Sequence, residues 1–204
     1  MKNVLLVALG AALGATLLPL VPLAASPAQE QKMSPEMEAA FAGARKYTEP
    51  GAMHQKLKDY VGKWDVVTAI SMGPGQEMKS ESKAEIAWLI EGRFLKQETK
   101  GQLMGQPYHG FGILGHDNFK NAFVSTWIDN MNTYKLDSQG RLGQDGKTLF
   151  LYGTLDEYLN GDNDKPVKYV YRWKDADHFT FEVHDLDIGE ANTCVVSMTY
   201  SRTK

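Results

Sequence analysis

The sequence predicts an all-β domain, a closed antiparallel up-and-down barrel of about ten strands with a short N-terminal helix plugging one end. Three observations predict it. From Trp64 onward apolar and polar residues alternate with period two, as they do when one strand face meets a core and the other meets water. Strands recur about every ten residues with turn chemistry between them, the pattern of an antiparallel sandwich or barrel. The connections are short, so neighbouring strands pair in order, and a meander that long must close to hide its edges.

Ahead of the barrel, residues 1–28 read as a secretory signal peptide. Lys2 supplies the positive start, Val4 to Leu23 is almost wholly apolar, and Ser26-Pro27-Ala28 offers a small-x-small cleavage site. The competing reading is a membrane anchor, since the apolar run is about long enough to span. Pro19, Pro22 and the small residues after them favour cleavage, and no cysteine follows to take a lipid. The expected product is periplasmic or secreted, with no stable membrane span after cleavage. Residues 29–50 form a flexible or helical leader, with Ser34-Pro35-Glu36 as a helix start and Pro50-Gly51 as a break. The barrel domain is 51–204. It opens with a helix from about Ala52 to Val61 that puts Met53, Leu57, Tyr60 and Val61 on one face and stops at Gly62.

Strands are expected at about 63–71, 79–91, 93–101, 108–116, 121–129, 132–138, 147–156, 167–174, 178–185 and 192–202. The turns between them include Asp117-Asn118, Ser138-Gln139-Gly140 and Gly161-Asp162-Asn163-Asp164. Parity assigns an inner face to Trp64, Val66 and Thr68 in the first strand and, if the third turns its odd positions inward, to Arg93, Leu95, Gln97 and Thr99 there. In the fourth it selects His109, Phe111 and Ile113, and in the fifth Phe123, Ser125, Trp127 and Asp129. The eighth and ninth contribute Tyr169, Tyr171, Trp173, Phe179 and Phe181. A barrel of this strand number leaves room for one small ligand.

Composition excludes several functions. Without residues 1–28 the chain carries 21 basic and 25 acidic side chains, a formal charge of -4, with no basic patch for nucleic acid. Cys194, the single cysteine, alternates with Val196, Met198 and Tyr200, which reads as a buried, inert thiol. The histidines His54, His109, His116, His178 and His184 lack the spacing of a ligand pair on one element, so no metal is expected. Only His109 has inward parity, leaving it as the single conceivable axial ligand for haem, and no cofactor is expected. The acidic stretch Asp156–Asp164 lacks the order of a calcium loop and reads as a solvated connection. With no Gly-x-Ser-x-Gly elbow and no Cys-His arrangement, no catalytic residue is assigned.

Gly62-Lys63-Trp64 opens the first strand and Tyr200-Ser201-Arg202 closes the last, with Trp64 and Arg202 both on the inward parity. An arginine stacked on an indole is a sensible way to bury both. The pair resembles the calycins, in which lipocalins carry Gly-x-Trp on the first strand and a late-strand arginine across it. A wider likeness takes in His54-x-x-Leu57, Glu91-Gly92-Arg93-Phe94-Leu95, Gly110-Phe111-Gly112 and Trp127-Ile128-Asp129-Asn130-Met131-x-Thr133. It resembles the bacterial domain-of-unknown-function family fifteen seventy-nine, with a departure at Gly115-His116-Asp117, where that family commonly has Gly-Tyr-Asp. The resemblance implies a lipocalin-like barrel and supplies no activity and no catalytic residues.

Candidate ligand-binding residues are therefore Trp88, Arg93, His109, Phe111, Ser125, Trp127, Asp129, Tyr169 and Phe181, with Trp64 and Arg202 as structural closure. A buried Asp129 needs a partner, and Arg93 is the candidate, with Thr68, Ser80 and Ser82 adding hydroxyls. The other reading of Asp129 is a cap on the Asn130-Met131 turn. Three functions follow, in this order: an exported protein binding a small apolar or amphipathic molecule, an enzyme using Asp129 and Arg93 for acid-base chemistry, and a ligand-free structural protein of the envelope.

Overall fold

The computed structural model describes residues 33–157, 160–188 and 193–204. The expected signal peptide, the first residues of the leader, and Tyr158 and Leu159 of the acidic stretch lie outside them. Ten antiparallel strands close into one barrel in which every neighbour in space is a neighbour in sequence, except at the seam between first and last. They are β1 (Gly62–Gly73), β2 (Gln76–Ile90), β3 (Phe94–Leu103), β4 (Gln106–Asp117), β5 (Ala122–Asp129), β6 (Leu136–Leu142), β7 (Thr148–Glu157), β8 (Asp162–Asp175), β9 (His178–Asp185) and β10 (Cys194–Arg202). This is the closed up-and-down antiparallel barrel expected from the alternation and the short connections.

The seam pairs Trp64 with Arg202 directly. The Arg202 guanidinium lies 4.2 Å from the indole centroid and donates to the Val61 carbonyl at 2.9 Å and the Ala176 carbonyl at 3.0 Å. Gly62 is glycine for two reasons: its φ is +153°, and a Cβ there would collide with the guanidinium.

Helix α1 (Pro35–Thr48) starts as expected, with the Ser34 hydroxyl accepting from the Met37 amide at 3.2 Å. It buries no residue and is held at its C-terminal end. Arg93 donates to the Thr48 carbonyl at 2.6 Å, Asn118 to the Glu49 carbonyl at 2.8 Å, and Tyr47 stacks on Phe119 with centroids 4.2 Å apart. Helix α2 (Ala52–Leu57) runs into a 3-10 turn, Lys58–Tyr60, that closes one mouth of the barrel. Leu57 is fully buried, and Tyr60 meets Trp173 and Phe179 edge-on at 4.7 and 5.5 Å.

Four local expectations are corrected. Strand β6 is Leu136–Leu142, so Ser138-Gln139-Gly140 lies inside a strand. Gly140 is glycine because a Cβ would strike the Phe150 carbonyl of β7, and the real turn follows it, with Asp145 accepting from the Lys147 and Thr148 amides. Strand β8 begins at Asp162, within the stretch expected to be a turn. The parity of β4 is the reverse of the expected one: Gly110, Gly112 and His116 are buried while His109 is exposed. A β-bulge between Cys194 and Val196 pairs Cys194 with His184, off the inner row; burial and the Glu182 charge both raise its thiol pKa.

Candidate functional site

Large side chains fill the plugged half of the barrel. Trp64, Phe179 and Trp173 pack against Tyr60 within a cluster that also includes Val66, Ile86, Leu95 and Leu149. Toward the other mouth the inner residues shrink to Thr68, Ser125 and Ser138, and a cavity of ≈ 180 Å³ remains. Its walls are chiefly aromatic. Tyr169 and Tyr171 come from β8, Phe181 from β9 and Tyr200 from β10, facing Tyr108 of β4 and Trp127 of β5. Tyr169 stacks on Phe181 with centroids 5.9 Å apart, and Tyr171 meets the same ring at 4.7 Å.

Trp127 lies flat because β4 makes way for it. It sits opposite Gly112 in the ladder, and a Cβ on Gly112 would be 2.5 Å from the Trp127 Cε3, while one on Gly110 would overlap the far edge of the ring. The same glycine parity turns Tyr108 inward.

Several polar groups of the cavity are engaged with one another. Gln97 donates to the Tyr200 hydroxyl at 3.1 Å and to Thr99 at 3.3 Å. Burial pushes the Tyr200 phenol up to about 12, against the lowering effect of Gln97. Asp129 Oδ2 accepts from the Trp127 indole at 3.1 Å, while Oδ1 accepts from the Met131 amide at 2.9 Å and the Asn132 side chain at 3.3 Å. The Tyr108 hydroxyl faces the same carboxylate, and its pKa is raised by burial first and the Asp129 charge second. Asp129 thus caps the turn and lines the cavity at once, so both of its sequence readings describe part of it. The Tyr169 hydroxyl is fully buried within the wall, without a hydrogen-bond partner among the described residues.

Of the residues expected at the site, Ser125, Trp127, Asp129, Tyr169 and Phe181 line the cavity. Trp88 does not; it packs against the filled core. Arg93 lies in the turn before β3 and binds α1, so it forms no pair with Asp129. His109 is outside, 2.9 Å from Glu98, and Phe111 shares its outward parity. An axial role for His109 has no geometry here. Thr68 is a wall residue, whereas Ser80 and Ser82 are not. Wall residues that were missed include Tyr108, Leu136, Ser138 and Leu151; for Tyr108 the signal was glycine at two, and again at four, positions beyond it.

Two buried histidines sit at the plugged end, away from the cavity. His54 Nδ1 accepts from the Gly51 amide at 3.0 Å, and its ring meets His116 edge-on at 5.4 Å. The His54 pKa is lowered, by burial first, then by His116 and Arg93. In the acidic stretch Asp156 accepts from the Asp164 amide, and Asp162 accepts from the Asn160 side chain. Among the described residues no three His, Cys, Asp or Glu side chains are grouped to hold a metal ion, and no helix is long and apolar enough to cross a membrane.

A family model described as "Protein of unknown function (DUF1579)" matches residues 49–202. No curated protein matches the chain in sequence. The crystal structure of Rv2717c from M. tuberculosis superposes with a TM-score of 0.55 at 14% identity, covering 76% of this chain and 100% of that one. The S-type phycobiliprotein lyase CPES from Guillardia theta superposes with a TM-score of 0.53 at 10% identity, covering 76% of this chain and 94% of the lyase. These likenesses concern the fold.

Proposed function

The chain belongs to the DUF1579 family of proteins of unknown function, and from that premise we propose that it is an exported protein that binds a small apolar or amphipathic molecule inside its barrel. The observation that carries the reading is the aromatic cavity of ≈ 180 Å³. The chain fills the other half of its barrel with tryptophan and phenylalanine and lines this half with small hydroxyl residues and ring faces, which leaves room for a guest whose apolar surface those rings would take from water. The acid-base reading has no such support, since Arg93 and Asp129 are apart. A ligand-free structural barrel has no use for the space. Export rests on the apolar start of the sequence and its small-residue cleavage site.

Native mass spectrometry of the protein purified from its own cells tests the binding reading, with Ser125→Trp as the filled-cavity control. A bound mass present in the wild type and absent from the variant is expected; the same spectrum from both would overturn the reading. Fractionation with N-terminal sequencing tests export, which predicts a mature start near residue 29.

A further inference from the structure

We propose that the guest of the cavity is an organic cation, an ammonium group on an apolar body, drawn to the Asp129 carboxylate and the face of Trp127; this rests on the binding reading above. Charge on the cavity wall is one-sided. No lysine, arginine or histidine lines it, and its single charged side chain is Asp129. The Asp129 oxygens accept from the Trp127 indole, the Met131 amide and the Asn132 side chain, all neutral donors, and the carboxylate forms no ion pair among the described residues. Its negative charge is hydrogen-bonded but not cancelled, so a cation in the cavity gains what an anion loses. Thr68, Ser125, Ser138 and Tyr171 add hydroxyls to the same wall. Those can serve a polar guest of any charge, and the selection falls to Asp129 and the rings.

Trp127 is fixed with one face toward the interior. A Cβ on Gly110 would meet its Cζ2 and Cε2, and one on Gly112 its Cε3 and Cζ3, so the ring lies over both glycines and turns its other face inward. An indole face is the best aromatic site for an ammonium, and donating Nε1–H to Asp129 at 3.1 Å leaves the ring richer in electrons. Tyr108, Tyr171, Phe181 and Tyr200 surround the same space. Rings with a carboxylate and no cation are the walls that quaternary ammonium groups enter.

The approach to the cavity has the same sign. It lies toward the mouth away from α2, where β5, β7 and β9 end. Among the described residues the connections at that mouth, with the strand ends they join, carry Asp129, Glu157, Asp162, Asp185 and Asp187. Against them stands Lys135, which is paired with Asp137, while Lys165, just inside β8, is paired with Asp185. The plugged mouth is mixed, with Lys120 in the turn of Asp117 and Lys147 in the turn of Asp145. A rim of one sign raises the local concentration of the opposite charge and speeds its entry.

Three probes of nearly one shape separate charge from fit by calorimetric titration of the full chain near neutral pH: choline, its uncharged isostere 3,3-dimethylbutan-1-ol, and the 3,3-dimethylbutanoate anion. Choline should bind at least about tenfold more tightly than the alcohol, and the butanoate at least about 100-fold more weakly than choline. Asp129→Asn keeps the outline and an oxygen for the Met131 amide, and should bring choline to within about threefold of the alcohol. If that variant does not fold, salt reads the same charge in the wild type. Raising ionic strength from about 0.01 M to about 0.15 M shortens the screening length from about 30 Å to about 8 Å, and should weaken choline at least about threefold while leaving the alcohol unchanged. An alcohol that binds as tightly as choline, no binding by choline, or a choline affinity indifferent to salt overturns the cation assignment alone. The native mass spectra of the wild type and Ser125→Trp decide the binding reading separately, and identical spectra remove the ground for both.

Discussion

Replacing Gly112 by alanine should strain the barrel through one ring. The new Cβ would stand 2.5 Å from Trp127 Cε3 and 3.0 Å from Cζ3. Carbon atoms rest at about 3.5–4.0 Å, so the indole has to retreat by about 1 Å into the cavity. Overpacking of this kind costs about 1–3 kcal/mol, offset by about 0.5–1 kcal/mol because alanine loses less backbone freedom than glycine on folding. The net expectation is a loss of about 1–2 kcal/mol, read as a lower urea midpoint at unchanged slope by far-ultraviolet circular dichroism. The cause can be isolated with a double-mutant cycle against Trp127→Leu. In the leucine background Gly112→Ala should cost almost nothing. If the full loss persists there, the obstruction is the Thr126 carbonyl, 3.2 Å from the same Cβ, and the account of β4 as a bed for the indole fails.

Other perturbations probe the ends of the barrel. His54 has a folded pKa below its ordinary 6.5, so as pH falls through that value the unfolded chain takes up a proton before the folded one does. Stability contributed by the neutral ring is complete above pH 6.5 and declines on the acid side until the folded value is passed. Denaturant midpoints compared on either side of that pH should therefore fall more for the wild type than for His54→Asn, whose amide can still accept from Gly51; equal falls would rule out this contribution of the neutral ring. Arg202→Lys removes the fork that reaches Val61 and Ala176 and the plane that lies on Trp64, and should lower stability by about 2 kcal/mol; a wild-type melting temperature would contradict that role. Lys165 and Asp185 form a 2.6 Å ion pair with side chains 14% and 8% exposed. Lys165→Met should cost about 3 kcal/mol by stranding the carboxylate, and Lys165→Met with Asp185→Leu should recover most of it in equilibrium unfolding, or the stranded charge is not the cause.

The strands were legible because alternation survives even where side chains are modest, as in Thr68, Ser125 and Asp129. The parity of β4 was not, because its inner row includes Gly110 and Gly112, which carry no hydrophobic signal, while the outer row holds Phe111 and Ile113. Reading the apolar residues as inward there cost His109 and Phe111 their places at the site and hid Tyr108. Arg93 failed differently. The strand begins one residue later, at Phe94, so Arg93 belongs to a turn, and only the tertiary structure reveals that a turn arginine can serve the end of a helix. Asp129 both lines the cavity and caps the turn because a strand-end carboxylate has two oxygens and the fold employs each for a different purpose.

The seam between β1 and β10 also bears on how the chain acquires its shape. Nine of the ten ladders join strands adjacent in sequence and need only short loops to form. The tenth brings Trp64 to Arg202, across the whole length of the barrel sequence. Until that residue is available, β1 and β9 both present raw edges, and the hairpins between them form an open, sticky ribbon. The cylinder therefore cannot close before β10 has been made and reaches β1, so the arginine that locks the base is also the residue whose docking removes the last exposed edges.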